Sequence, residues 1–165
     1  SMVWRIPEVE DRLKFLIDQV ERITGLQEFG VYLNKLFTID AIFLNEDRHM
    51  HNIAVMMNGK GEFDYCPIFD NGGALLTDTT MDYPLDQDEL LLMKEVHAKT
   101  ISSDFDEQLD ASEHFYGRNL RFSFTKKDVE RLLAKPELNM YDVQIRTRVA
   151  NIFYQQMDKY KYLFY

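Results

Sequence analysis

The first apolar pattern along the chain has the period of an α-helix. Over residues 8–24, EVEDRLKFLIDQVERIT, apolar side chains recur at helical spacing, with charged side chains between them. Pro7 suits the first turn of a helix, and acidic residues crowd the start of the pattern, where the helix dipole favours them. Gly25 follows the pattern as a natural end. We therefore predict a helix from just after Pro7 to Gly25.

The second apolar pattern covers nearly every side of a helix. Residues 26–45, LQEFGVYLNKLFTIDAIFLN, have this composition, which is typical of a helix buried in a core. The chain then changes to short strand-like runs, IAVMM at 53–57 and EFDYCPIF at 62–69, joined by NGKG. These runs predict a β-hairpin in which Asn58-Gly59 supplies the positive φ of the turn.

The remainder of the chain is predominantly helical by the same criteria. Residues 103–117 form an amphipathic pattern, Thr125 with Asp128 predicts a capping box for a helix over 126–135, and residues 141–164 contain a long last helix. One face of that last helix is expected to carry apolar side chains, namely Val143, Val149, Ile152, Phe153 and Met157. The fold class is therefore α+β with a strong helical bias. We expect a single domain over 1–165, in which residues 1–6 are a tag scar, from Ser1 before Met2, and an N-terminal tail.

Composition narrows the classes of function. A net charge of −9 argues against a nucleic-acid binder that neutralises phosphates, and no block of Lys and Arg suggests a local basic patch. Cys66 is the only cysteine, which excludes an intrachain disulfide and favours a reducing compartment. No run of apolar residues reaches the length of a membrane span. We expect a cytoplasmic protein with no membrane and no nucleic acid among its partners.

The candidate chemistry lies on either side of the predicted hairpin. Asp47 and Asn52 form a D-x-x-x-x-N pattern before it, and Asp70 heads a D-x-G with Gly72 after it. We expect the hairpin to bring these three oxygen-bearing side chains to one end. Such a set suits Mg²⁺, which prefers hard oxygen ligands and completes its shell with waters and phosphates. Phosphoryl transfer uses this division of labour, with one Asp for the attacking hydroxyl and an Asn and a second Asp for the metal.

These residues carry a resemblance to a known family. Asp47-Arg48-His49 with Asn52, followed by Asp70-x-Gly72, resembles the DRHxxN and DxG motifs of the protein-kinase-like superfamily. Within it, the run FLNEDRHMHNIAV and the strand ending PIFDNG are most similar to bacterial HipA-like toxin kinases, while phosphoinositide lipid kinases share the DRHxxN pattern. The resemblance covers about 34 residues directly, 43–76, and the helical remainder is compatible with a kinase C-terminal lobe.

The resemblance implies a role for each matched residue. Asp47 would be the catalytic base, while Asn52 and Asp70 would hold Mg²⁺ and, with Gly72, the nucleotide. His49 would brace the loop around Asp47, and Arg48 would balance the acidic cluster. The implied cofactors are Mg²⁺ and ATP, and the implied substrate is a Ser or Thr hydroxyl of a protein.

One departure from the family affects the expected activity. The 46 residues before Asp47 contain no Gly-rich phosphate loop and no strand-borne Lys, so an N-terminal lobe is absent from this sequence. Because positioning and electrostatics supply most of phosphoryl-transfer catalysis, we expect the isolated chain to be inactive without a partner that brings such a lobe. An antitoxin-like partner is also implied by the resemblance. The alternative is a non-catalytic, pseudokinase-like module that works through protein partners. A further departure is Asn71, where many protein kinases have Phe.

Other interpretations of the same residues remain open at this stage. His49 and His51 form H-x-H, a spacing that could present two Zn²⁺ ligands, but no third His or Cys is placed by sequence to complete the site. Asp70-Asn71-Gly72-Gly73 also has the composition of a plain turn. The acidic stretch YPLDQDELL, 83–91, is typical of a solvated helix start, and near a kinase cleft it could recruit a basic substrate.

Overall fold

The architecture is α+β and mostly helical, as the sequence predicts. A computed structural model describes residues 2–165. Its helices and strands are α1 (Val9–Thr24), α2 (Phe29–Phe43), β1 (Val55–Met57), β2 (Phe63–Tyr65), α3 (Glu89–Glu95), α4 (Phe105–Tyr116), α5 (Lys126–Leu133) and α6 (Val143–Lys159). Short 3₁₀ turns lie at Val3–Arg5, Met50–Asn52, Pro136–Leu138 and Lys161–Leu163. None of the helices in the described part of the chain has the length and apolar character needed to cross a bilayer.

Helix α2 is the centre of the core, which explains why its sequence is apolar nearly all round. It packs against α1, α4 and α6. The approach to α4 is close enough that a Cβ on Gly30 would lie 2.3 Å from the ring of Tyr116. Its buried polar residue Asn34 is paired across the same interface, because its amide donates to the Ser112 hydroxyl at 3.0 Å and accepts from the Asn119 backbone at 3.0 Å. The apolar core therefore carries a fully bonded polar patch.

The predicted ends of several helices are confirmed. Gly25 ends α1 at φ 78° and donates to the Glu21 carbonyl at 2.8 Å. Thr125 and Asp128 form the predicted capping box of α5. On the apolar face predicted for α6, Ile152 and Phe153 are buried, whereas Val143 is 65% exposed. Val143 is the first residue of α6, where the helix has not yet reached the core.

The hairpin exists, but its turn differs from the prediction. β1 and β2 are antiparallel, with Met56 opposite Asp64. The residue with positive φ is Gly61, at 80°, and not Gly59. The side chain of Asn58 accepts from the backbone N–H groups of Lys60 and Glu62, so Asn58 organises a longer loop that closes at Gly61. β2 ends at Tyr65, and Cys66 lies beyond it, half-buried.

Both ends of the chain pack on the helical body. Val3 is buried, and the Arg12 guanidinium of α1 donates to the Ile6 carbonyl at 2.6 Å, which holds the N-terminal segment in place. Near the C-terminus, Phe122 and Phe164 form a parallel bridge, in which the Phe122 N–H donates to the Leu163 carbonyl at 2.8 Å.

Candidate functional site

A buried ion pair lies at the centre of the loops that flank the hairpin. The Arg48 Nε lies 3.1 Å from Asp40 Oδ2, and Arg48 Nη2 lies 3.2 Å from Asp40 Oδ1. Both side chains are essentially inaccessible, at 1% and 0% exposure. Asn45 adds a third donor to Asp40 Oδ1 at 3.0 Å. Burial raises the pKa of Asp40, and the hydrogen bonds from Arg48 and Asn45 oppose that shift.

The same guanidinium joins the two loops that carry the candidate residues. Arg48 Nη1 donates to the Asn52 carbonyl at 3.1 Å and also to the Phe69 carbonyl, and Nη2 donates to the side-chain oxygen of Asn71. The Thr100 hydroxyl donates to the Arg48 carbonyl at 2.5 Å and fixes its backbone. Arg48 was predicted to balance an acidic cluster in the catalytic set. It is buried and its contacts are to protein groups, so it positions the loops on which Asn52 and Asp70 lie.

The side chain of Asn52 closes the loop that begins at Asp47. Asn52 Nδ2 donates to the Asp47 carbonyl at 2.8 Å, and the backbone adds a bond from the Asn52 N–H to the His49 carbonyl at 2.9 Å. Because the amide nitrogen of Asn52 bonds to Asp47, the amide oxygen points away from the Asp47 carbonyl. That Oδ1 accepts no hydrogen bond from residues 2–165. The D-x-x-x-x-N spacing therefore closes a turn in which the Asn52 side chain is buried and its oxygen has no hydrogen-bond partner among residues 2–165.

The glycine that the site requires is Gly73, next to the predicted Gly72. A Cβ at Gly73 would lie 2.7 Å from the Cβ of Asp47, and the Gly73 carbonyl accepts from the Glu46 N–H at 3.0 Å. A Cβ at Gly72 would meet nothing within 4 Å. The absence of a side chain at Gly73 therefore permits the loop after the hairpin to lie directly against Asp47.

Backbone strain is concentrated around this site. Four non-glycine residues within 2–165 have positive φ, and all lie in the loops next to the site: Leu44, Asp70, Leu75 and Leu76. Asp tolerates this conformation, as at φ 55° for Asp70, but for Leu it costs roughly 1–2 kcal/mol per residue. Strain of this kind persists where the surrounding contacts over-determine the backbone, and it clusters at functional sites.

Asp47 and His49 form the accessible edge of the site. The His49 Nε2 lies 3.7 Å from Asp47 Oδ1, and their side chains are 41% and 47% exposed. His49 Nδ1 accepts from the His51 backbone N–H at 3.2 Å, so in the neutral ring the proton is on Nε2, which faces Asp47. The 3.7 Å between His49 Nε2 and Asp47 Oδ1 is longer than a hydrogen bond, so the bracing of Asp47 by His49 stays a prediction.

The donors fit a hard cation better than zinc. No group of three His, Cys, Asp or Glu side chains gathers as a metal site anywhere in 2–165, and the His49–His51 pair therefore has no third ligand there. Asp70 has an exposed carboxylate that forms no hydrogen bond or ion pair with the described residues. Together with the Asn52 Oδ1 it offers two oxygen ligands on loops that Arg48 joins, which suits Mg²⁺ with water and phosphate in its remaining positions.

A second connection links the site to the last long helix. The Tyr83 hydroxyl donates to Glu46 Oε2 at 2.7 Å, and Arg148 of α6 donates to the carbonyls of Tyr83 and Pro84, at 2.5 Å each. Burial, followed by the bond to Glu46, raises the pKa of Tyr83 well above its ordinary value. Glu46 immediately precedes Asp47, so α6 helps to hold the loop that carries Asp47.

Six residues that support the site were not predicted from the sequence. They are Asp40, Asn45, Gly73, Tyr83, Thr100 and Arg148. Asp40 alone gave a signal, since a carboxylate inside an otherwise apolar helix requires a buried partner.

Comparison with known proteins gives no relative for this chain: no family model matches it, and neither does any curated protein or solved structure.

Proposed function

We propose that this chain is the C-terminal lobe of a phosphotransferase that moves a phosphoryl group from Mg²⁺-bound ATP to a protein Ser or Thr hydroxyl. The observation that supports the proposal is the single clamp made by Arg48. One guanidinium holds the loop that carries Asp47 and Asn52 against the loop that carries Asp70. Three separate sequence positions with the residue types of a phosphoryl-transfer centre are therefore parts of one rigid unit.

In this proposal each accessible side chain has a distinct task. Asp47 orients the attacking hydroxyl and accepts its proton, because its carboxylate is half exposed while its backbone is fixed by Asn52. His49 lines the same edge, with Nε2 toward Asp47. Asn52 and Asp70 would hold Mg²⁺, which when bound neutralises charge on the phosphates. Arg48 keeps these groups in register and does not contact the substrate.

The residues upstream of the loop favour a second candidate, a non-catalytic interaction module. Residues 9–24 and 29–43 are helical, and the hairpin β1–β2 is the only sheet in the described part of the chain. The two lysines among the described residues before Asp47, Lys14 and Lys35, lie on helices and not on a strand. The module would retain the clamped loops as a scaffold and act through protein partners. The metal-binding experiment below distinguishes the two candidates.

The proposal is tested by mapping a divalent cation on the folded chain. Paramagnetic Mn²⁺ in place of Mg²⁺, with and without ATP, broadens the NMR signals of nearby amides. We expect selective broadening at residues 47–52 and 69–73, and its loss in Asp70→Asn. Asn is suitable because it keeps the size of Asp and tolerates the positive φ of residue 70. Asp86→Asn is the matched control, since Asp86 is exposed and its substitution removes the same charge.

Two results would count against a metal-dependent transferase. Broadening spread over the acidic surface, equally in wild type and Asp70→Asn, would show only non-specific attraction to a chain with a net charge of −9. No broadening at the two loops, with ATP present, would favour the interaction module.

A further inference from the structure

A basic face is assembled from two segments that are far apart in the sequence. Residues 118–127, RNLRFSFTKK, and 159–165, KYKYLFY, contain six Lys and Arg and no Asp or Glu. The rest of the chain holds the other 13 basic residues and all 28 acidic ones, a formal charge of −15. The parallel bridge between Phe122 and Phe164 places the two segments side by side. We call residues 118–127 and 159–165 the basic face.

Part of the charge of the basic face is already neutralised. Three of its cations form ion pairs with acids outside it: Arg118 with Glu113, Lys126 with Asp158 and Lys159 with Asp106. The other three, Arg121, Lys127 and Lys161, are exposed and have no carboxylate partner within 2–165. These three cations are therefore unpaired on an otherwise strongly acidic chain, and no ion pair within the described residues accounts for them.

Aromatic rings accompany these cations. The Arg121 guanidinium lies 5.9 Å from the ring centroid of Tyr165, and that of Arg118 lies 4.4 Å from the ring of Tyr162. Tyr165 is 86% exposed. Arg and Tyr are the residue types over-represented among the energetically dominant contacts of protein interfaces.

The basic face also has an open backbone edge. The N–H and the carbonyl of Phe122 are both used in the bridge, with Leu163 and Tyr165. In extended chains the backbone groups of adjacent residues point to opposite edges, so those of Arg121 and Ser123 face away from the bridge. Their N–H groups donate to no acceptor within 2–165, and both residues are exposed. An unpaired edge of this kind can accept an added strand.

We infer that the basic face binds a short, extended, acidic segment of a partner protein, which adds a strand at the Arg121–Ser123 edge. The charge distribution selects this occupant. A nucleic acid or an anionic membrane would extend beyond the basic face. Its negative charges would then come within the screening length of about 8 Å of the acidic residues in the rest of the chain, which would repel them. A short peptide can lie within the basic face, which contains the three free cations. This inference does not depend on the proposed phosphotransferase activity.

The test uses a defined peptide as the probe. An eight-residue peptide of alternating Glu and Thr is titrated into the isotopically labelled chain, with the matching Gln and Thr peptide as the uncharged control. We expect shifts of the amide signals at 120–124 and 160–165 with the Glu peptide only. Arg121→Glu and Lys161→Glu should each weaken binding about fivefold, the size expected for loss and reversal of exposed charge contacts. Ser123→Pro should weaken it as well by removing an edge N–H.

Lys60→Glu, at the exposed hairpin tip, is the matched control and should leave binding unchanged. Circular dichroism of each variant excludes loss of fold. The inference is overturned if the Gln peptide binds equally well, or if the variants at 121 and 161 bind like the Lys60→Glu protein. Tighter binding of an eight-nucleotide oligo-dT or of phosphatidylserine vesicles than of the Glu peptide would overturn the assigned occupant.

Discussion

Asp40 and Arg48 form a two-point ion pair that no other charged side chain in residues 2–165 shares. Asp40 lies in the last turn of α2 and Arg48 lies in the loop that follows, and both are fully buried. The pair anchors Arg48 in the core. Because Arg48 donates its remaining hydrogen bonds to Asn52, Phe69 and Asn71, the loops that contain these residues are anchored to the core as well. A structural ion pair and the geometry of the candidate site are therefore one arrangement.

Removal of the Asp40 charge should destabilise the protein strongly. Asp40→Asn preserves volume but leaves the Arg48 guanidinium buried without its counter-charge, which typically costs about 3–5 kcal/mol in the free energy of unfolding. The measurement is urea unfolding. Asp158→Asn breaks the exposed pair with Lys126, at 3.0 Å, and should change the free energy by less than about 1 kcal/mol. Equal effects of the two substitutions would show that Asp40 and Arg48 are not coupled as described.

The two adjacent glycines should differ in how strongly substitution by Ala destabilises the protein. Gly73→Ala places a Cβ 2.7 Å from that of Asp47, and we expect a loss of about 1–3 kcal/mol together with weaker Mn²⁺ broadening at 47–52. Gly72→Ala meets no atom within 4 Å and should change the stability by less than about 0.5 kcal/mol. Paired unfolding curves and Mn²⁺ titrations check both. A destabilised Gly72→Ala with an unaffected Gly73→Ala would contradict the close approach of the two loops.

The close contact between α2 and α4 predicts that Gly30→Ala destabilises the wild-type protein but stabilises a variant in which Tyr116 is smaller. In the wild-type background Gly30→Ala should destabilise, because its Cβ would lie 2.3 Å from the Tyr116 ring. In a Tyr116→Leu background the clash is removed, and the same change should stabilise by about 0.5–1 kcal/mol through helix propensity. The two unfolding free energies form a double-mutant cycle. If Gly30→Ala has the same effect in both backgrounds, Tyr116 does not restrict this position.

Tyr160 and Tyr162 predict a loss of stability at alkaline pH. Burial and a hydrogen bond to Asp106 raise the pKa of Tyr160 far above its ordinary value of 10.0, and similar causes raise the pKa of Tyr162 to about 12. Below pH 10 the bonded phenol contributes fully to stability. As the pH rises through 10 the unfolded chain releases protons that the folded chain keeps, so the free energy of unfolding falls.

The check is the unfolding free energy between about pH 8 and 11. Tyr160→Phe should give a shallower decline than the wild type, and Tyr141→Phe, at an exposed ring without a hydrogen bond, should leave the decline unchanged. A decline that is identical in all three proteins would assign the alkaline instability to other groups.

Local patterns were sufficient to predict most of the regular elements. Helical period predicted α1, α2, α4 and α6, and side-chain chemistry predicted the capping box of α5, since these signals act over a few neighbouring residues. The α+β class followed from them. The turn at Asn58 was assigned to the wrong glycine because its loop is closed by Asn58 side-chain bonds that composition does not reveal.

Only the motif residues of the candidate site could be predicted from the sequence. Asp47, Asn52 and Asp70 stand out because polar residues flank apolar runs. Their supports are tertiary contacts: Thr100 reaches Arg48 across 52 positions, and Arg148 reaches Tyr83 across 65. Nothing local distinguishes these residues from other polar ones. The same is true of the basic face, whose two segments become neighbours only through the bridge at Phe122 and Phe164.

The link from Arg148 through Tyr83 to Glu46 has a consequence for synthesis on the ribosome. The loop at Asp47 emerges early, but two of its supports belong to α6, because Gln156 also donates to the Ala41 carbonyl at 2.6 Å. Until residues up to 159 have emerged, the buried donors and acceptors at the end of α2 lack these partners. Domains generally fold as units during translation, so this loop acquires its final geometry only when the last long helix docks. A nascent chain that stops before α6 contains Asp47, Asn52 and Asp70 but lacks the contacts from Arg148 and Gln156 that support the loop at Asp47.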